Sequence, residues 1–227
     1  MFDHLHPSVQ RIADHVASLF EGEGTGHDWF HIERVTKNAI QIASAEGADP
    51  NIAALGALLH DIADWKFHAG SLEEGPKRAK QALEEFEAPD AWHKEVVLIV
   101  ARVSFKGAGV TDNMPTLAGK CVQDADRLDA IGAIGVARTF AYGGSTGQPL
   151  YDPALDPELH ADFAAYRDKR TSTINHFHEK LLLLKDRMHT ATGKAWANER
   201  HQYMEDFLLQ FHREWNAEPV QDRPLSS

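Results

Sequence analysis

The sequence predicts an all-α fold of seven to nine helices. Three observations carry that prediction. Apolar residues recur at spacings of three and four along most of the chain, the period of a helix with one buried face. Residues that start and stop helices bracket several of these stretches. No segment alternates apolar and polar residues over the length of a strand, and none repeats at a fixed period.

The elements follow in order. "PSVQRIADHVASLFEGE" sets Val9, Ile12, Val16 and Leu19/Phe20 on one face. The Gly-containing "EGTGHD" breaks the pattern. "DWFHIERVTKNAIQIASAEG" resumes it with Ile32, Val35, Ile40 and Ala43, with Asp28 as N-cap and Gly47 as stop. "DPNIAALGALLHDIADW" opens with Asp49 at the cap and Pro50 at the first helical position. "SLEEGPKRAKQALEEF" reads as a charged, exposed helix, and "PDAWHKEVVLIVARVSF" is apolar along one side. After a loop with Pro115, "AGKCVQDADRLDAIGAIGVARTFAYGG" reads as a further helical stretch. The long loop "YGGSTGQPLYDPALDPELHAD" follows, with three prolines. Two helices close the chain, "TSTINHFHEKLLLLKDRMH" and "GKAWANERHQYMEDFLLQFHREW". Trp92, Phe105, Phe140, Phe177 and Trp196 read as core, and Tyr142 as the one aromatic placed to stack on a base. The pattern predicts a single domain over 1–215, with core motifs at 27–140, a C-terminal helical lobe at 158–215 and a flexible tail at 216–227.

Composition narrows the function. The 227 residues suffice for a sizeable core, and 43% apolar with 25% charged residues is ordinary for a globular protein. Cys121 is the lone cysteine, which excludes a disulfide framework or a cysteine-built zinc site and predicts a cytoplasmic protein. "MFDHLHPSVQRIADHV" carries acids and no long apolar run, so it does not read as a signal peptide. No stretch approaches the ~18 apolar residues that span a membrane. The net charge of −11 repels a nucleic-acid duplex. A small phosphorylated ligand in a local pocket stays compatible with that charge, above all if a metal ion supplies the positive field. Fourteen histidines keep metal binding open.

Polar residues interrupt the helical segments at His31, at the adjacent His60 and Asp61 after "AALGALL", and at Asp126 within "VQDADRLDA". Imidazole and carboxylate together suit Mn²⁺, Fe²⁺, Co²⁺, Ni²⁺ or Zn²⁺. Four ligands from three helices would leave coordination positions open, the mark of a catalytic site. Spacing alone does not select these four residues in a chain with fourteen histidines.

Longer strings do. "GHDWFHIERV", "LLHDIADWKF", "DADRLDAIGAIGVARTFAYGG" and "INHFHEKL…TATGKAWANERHQYMEDFL", in this order, resemble the HD-domain superfamily of metal-dependent phosphohydrolases and its bacterial YedJ/YpgQ-like branch. The resemblance covers roughly residues 10–215. It implies an HD-domain helical bundle with one divalent metal (Mn, Mg, Co, Ni, Fe or Zn) held in the core by His31, His60, Asp61 and Asp126. On this reading the doublet interrupts an apolar helix in order to carry a metal site into the core. The resemblance further implies hydrolysis of a phosphoester or phosphoanhydride by a metal-activated water.

Residues around the four acquire roles in that light. Asp64, four residues after His60, would share its helix face and act as general base; Asp61 is the other catalytic acid. His27, Arg34 and Lys66 would meet substrate, with Asp28 equally a cap and Arg34 equally an anchor for a carboxylate. Asp129 would support Asp126, and Arg127 reads as structural. His176 and Lys180, with Asn175, Lys185 and Lys194, form a polar set for the substrate pocket or a solvated face. "TATGK" lacks P-loop spacing. Cys121 has no histidine partner in sequence, so no covalent nucleophile is expected, and His93 is the one weak candidate for a second ion.

The branch suggests cleavage of nucleoside triphosphates to monophosphate and pyrophosphate, deoxynucleotides favoured. The alternatives are a 5′-nucleotidase or phosphodiesterase on the same site, a non-catalytic nucleotide sensor, or a helical scaffold without a site. The expected partner is a small phosphorylated substrate, with no duplex and no membrane, and a homodimer left open.

Overall fold

A computed structural model describes residues 2–20, 28–62, 73–103, 113–158 and 171–219. His27, Asp64, Lys66 and Phe105 lie outside the described residues, as do 220–227 of the expected tail. Among the described residues there are nine α-helices and no strand, within the range the sequence predicts. They are α1 (Pro7–Leu19), α2 (Trp29–Glu46), α3 (Pro50–Leu59), α4 (Glu74–Glu85), α5 (Asp90–Arg102), α6 (Leu117–Asp129), α7 (Gly132–Ser145), α8 (Thr173–Glu179) and α9 (Ala191–Trp215). No described helix is long and apolar enough to cross a membrane.

Helix ends follow local chemistry. Asp28 accepts the His31 amide at 2.9 Å, and Asp49 accepts the Asn51 amide at 2.8 Å just ahead of Pro50. Each satisfies a donor that the first helical turn leaves open. Gly47 ends α2 in the left-handed region at φ 78°, which a side chain would disfavour. α3 is apolar all round, with every residue from Ile52 to Leu59 buried. Such a helix must sit at the centre, and α3 packs against α1, α2, α5 and α6. Burying Leu55, Leu58 and Leu59 contributes about 1.5–3 kcal/mol each. Gly56 lets α5 close in: a Cβ there would meet Ile99 Cγ2 at 2.9 Å.

The structure departs from the sequence reading in three places. The doublet does not interrupt a helix: α3 ends at Leu59, His60 is its C-cap, and Asp61 lies in the following turn. The stretch from 118 to 144 is two helices, broken at Ala130 and Ile131. Arg200 of α9 packs into the corner. Its guanidinium donates to Leu128 O at 2.5 Å, and a Cβ on Gly132, which has φ 75°, would meet its Cγ at 2.9 Å. The stretch 171–189 holds only the short α8, then 3-10 turns at Leu181–Leu183 and Lys185–Arg187. Leu181, Leu184 and Met188 enter the core, so a tightened chain serves burial better than a continuous helix. Phe177 is fully buried; Trp92, Phe140 and Trp196 pack against the core from its edge.

Candidate metal centre

The start of α2 and the ends of α3 and α6 meet at one point. His31 sits in the first turn of α2, where the Asp28 cap fixes the backbone and neighbouring Ile32 is buried. His60 caps α3, and Asp126 lies in α6. One ligand atom from each of His31, His60 and Asp126 lies within 4.8 Å of the other two. Asp61 joins them: its Oδ2 lies 3.3 Å from His60 Nε2 and 3.7 Å from His31 Nε2. Asp126 Oδ1 is 3.7 Å from His31 Nε2 and 3.9 Å from His60 Nε2.

The donor set fits a divalent ion. Both histidines are buried, while the carboxylates are more open, with side-chain exposures of 17% for Asp61 and 29% for Asp126. Two nitrogen donors thus form the floor and two carboxylates the mouth. His60 Nδ1 donates to the Ala57 carbonyl at 2.6 Å, which leaves Nε2 with the lone pair. That Nε2 is buried and has no hydrogen-bond partner. An orphaned buried nitrogen between two carboxylates costs free energy unless a cation or a proton meets it. The electrostatics agree: burial alone would lower the His60 pKa, but Asp61 and Asp126 overcome it and push the group up to about 10. A metal ion answers the same field with two charges.

The acids of "DADRLD" divide their work. Asp126 faces the cluster. Asp124 is fully buried and accepts the His189 amide at 2.9 Å, the Thr190 amide at 2.8 Å and Thr190 Oγ1 at 2.7 Å. A Cβ on Gly193 would lie 2.3 Å from Asp124 Oδ2. "TATGK" is therefore the N-terminus of α9 docked on Asp124, with Thr190 Oγ1 capping the Gly193 amide. Arg127 donates to Arg187 O at 2.5 Å and pins the same junction. Asp129 does not support Asp126 as expected; its Oδ2 lies 2.7 Å from His31 Nδ1. Burial would raise the Asp129 pKa, yet hydrogen bonds from His31 and Arg34 hold it well below the usual carboxylate range.

Arg34 spends Nε and Nη2 on Asp129, at 2.7 and 3.0 Å. It anchors a carboxylate, and a third of its side chain remains exposed. Arg138 of α7 completes this group, 2.7 Å from Asp129 Oδ2. Sequence reasoning missed Arg138, since nothing local links it to His31. Lys180 and Lys185 are half-buried and Lys194 is exposed. Asn175 is buried and donates to Leu155 O at 2.8 Å, which ties down the Pro-rich loop. His176 is pushed down to about 3 by burial and then by the charge of Lys180. The Cys121 thiol is pushed up to about 12 by burial and by Asp124 and Glu46, which makes it a poor nucleophile. His93 Nε2 is taken by the Ala88 carbonyl at 2.9 Å, and among the described residues His31, His60 and Asp126 are the one group of three or more placed to hold an ion.

Known proteins resemble this chain. The family model for the HD domain matches residues 29–131, which include all four cluster residues. The Bacillus subtilis protein YpgQ is 35% identical over 91% of this chain and 93% of its own. A crystal structure of YpgQ in complex with ADP matches with a TM-score of 0.70 at 33% identity, covering 91% of this chain and 94% of that one. An HD-superfamily hydrolase from Bacillus thuringiensis matches with a TM-score of 0.74 at 43% identity, over 92% and 97%. HD domains bind a divalent metal ion, and His31, His60 and Asp126 form a site able to hold one. A helical fold, a buried His-Asp cluster and relatives that align along nearly the whole chain lead to one conclusion: this chain belongs to the HD-domain superfamily of metal-dependent phosphohydrolases, in its YpgQ-like branch.

Proposed function

We propose that the chain hydrolyses nucleoside triphosphates to monophosphate and pyrophosphate in the cytoplasm, with deoxynucleotides preferred. One observation carries the nucleotide: the YpgQ relative has been crystallised with ADP. The half-open carboxylate mouth of the cluster supports hydrolysis rather than a purely structural metal.

Asp61 serves as the fourth ligand, beside His31, His60 and Asp126. When bound, the divalent ion acts as a Lewis acid that lowers the pKa of a water and offsets charge developing on phosphorus. Water oxygen bonds to the α-phosphorus as the bond from that phosphorus to the α–β bridging oxygen breaks, and pyrophosphate leaves. The water proton passes to Asp64, with Asp61 as the second acid able to take it. Arg34, with its outer edge exposed, takes phosphate oxygens. His27, Lys66, His176 and Lys180 complete the substrate contacts. A depressed pKa keeps His176 neutral near pH 7, so it meets substrate through hydrogen bonding rather than charge.

The test is product analysis. Metal-stripped protein is supplied with Mn²⁺, Mg²⁺, Co²⁺ or Ni²⁺ and offered nucleoside mono- and triphosphates and cyclic nucleotides, with Asp61→Ala as control. Monophosphate plus pyrophosphate from triphosphates, absent in the control, is the expected result. Orthophosphate from monophosphates would make it a nucleotidase. Absence of turnover with metal bound would make it a nucleotide sensor.

A further inference from the structure

The two histidines of the cluster are held in different ways. His60 needs no other side chain, because its Nδ1 donates to the carbonyl of Ala57 in its own helix. His31 depends on a residue 98 positions away, as its Nδ1 meets Asp129 Oδ2 at 2.7 Å. Asp129 is in turn gripped by Arg34 from α2 and Arg138 from α7. Arg138 Nη1 also lies 3.2 Å from His31 Nδ1 itself.

That last contact gives Asp129 a specific task. An imidazole Nδ1 can donate to a carboxylate or accept from a guanidinium, and the two choices put the ring proton on opposite nitrogens. With Asp129 present, Nδ1 carries the proton and the Nε2 lone pair faces the cluster. Without Asp129, Arg138 Nη1 still lies 3.2 Å from Nδ1. It donates there, and the proton moves to Nε2, where a metal must bind.

We propose that Asp129 is a positioning residue that selects the metal-binding tautomer of His31 against the opposite tautomer favoured by Arg138. The claim rests on the cluster being a metal centre, but it is tested apart from the identity of the substrate. Removal of a carboxylate that orients a metal-bound histidine weakens metal affinity by about 10- to 100-fold. Asp129→Ala is expected to show that loss. Asp129→Ala combined with Arg138→Leu is expected to regain part of it, because the competing donor is gone. A generic packing defect would instead grow worse with the second substitution.

The experiment measures Mn²⁺ affinity by calorimetry for the chain and both variants, and ring N–H proton resonances in the Zn²⁺-loaded protein. The ring protons of the unaltered protein should include one on His31 Nδ1 and one on His60 Nδ1. The His31 signal should vanish or move in Asp129→Ala while the His60 signal stays. Equal affinity in Asp129→Ala, or a double variant that binds no better than the single one, would overturn the proposal. So would a Zn²⁺-loaded unaltered protein without the His31 Nδ1 proton, a result that needs no variant to fold. If the unaltered chain bound no metal at all, the metal reading of the cluster would fail first.

Discussion

Asp124 and Asp126 are two residues apart on α6, and the structure sets them to opposite uses. Asp124 is sealed off and spends its oxygens on two backbone amides and a hydroxyl at the start of α9. Asp126 is partly open, accepts no hydrogen bond among the described residues, and lies 3.7 and 3.9 Å from two imidazole nitrogens. A carboxylate already matched to protein donors has nothing left to offer a cation. One turned toward neutral nitrogens and water does. The pair therefore separates architecture from chemistry within a single turn.

The largest effect should come from Asp126. Loss of a ligand that holds a Lewis acid removes several kcal/mol of transition-state stabilisation, so Asp126→Ala should lower kcat/KM by about 10³-fold or more. Its melting temperature in chelator should stay within the span of about 1 kcal/mol of the unaltered protein, since no hydrogen bond is lost. Steady-state kinetics beside thermal melts check both halves. A variant that loses activity only by unfolding would erase the contrast.

Asp124→Ala should act the other way. It strands the amides of His189 and Thr190 in the interior, and an unmet buried donor costs about 1–3 kcal/mol. A loss of about 3 kcal/mol in denaturant unfolding is expected, with metal affinity close to normal while the protein remains folded. A large drop in affinity at unchanged stability would place Asp124 in the metal site after all.

Much of this was open to sequence reasoning where causes are local. The caps at Asp28 and Asp49, the stop at Gly47 and the buried run of α3 depend on neighbours within one turn, and the structure has them as read. The break at Ala130 was not legible, because the Arg200 that packs into it arrives from α9. The end of α3 at Leu59 was hidden for another reason: nothing in "ALLHDIADW" stops a helix, since it contains neither Gly nor Pro. The three acids of "DADRLD" were visible as a group but not as a division of labour. Position along α6 tells which face each acid takes only once its neighbours are known. Arg138 left no sequence signal, because its partners lie on α2 and α6.

Metal removal sharpens the comparison further. A ligand that binds only the folded state stabilises it by about 2.7 kcal/mol at a concentration one hundred times its Kd. For a chain of this size that is a fall of roughly 5–10 °C on chelation. Asp124→Ala, starting lower, should still drop by the same amount. Asp126→Ala should not respond to chelator. Melts with and without Mn²⁺ across the three proteins separate ligand from anchor, and an equal response in Asp126→Ala would remove it from the ligand set.

The smallest effect concerns two histidines whose surroundings push them in opposite directions. Carboxylates push His60 up, whereas burial and Lys180 push His176 down to about 3 from an ordinary value of 6.5. The sign for His176 follows from proton counts. Between those two values the unfolded chain binds a proton that the folded chain refuses, so stability rises with pH across that window. The contribution is complete above about 6.5 and is lost as the pH falls toward 3. His176→Asn, which cannot be protonated, should flatten this part of the stability profile and leave it unchanged above pH 7. Urea unfolding of metal-free protein at pH 4 and pH 8 measures the difference. Parallel profiles for the variant and the unaltered chain would mean that His176 accepts its proton in the folded protein, against the effect of its burial and of Lys180.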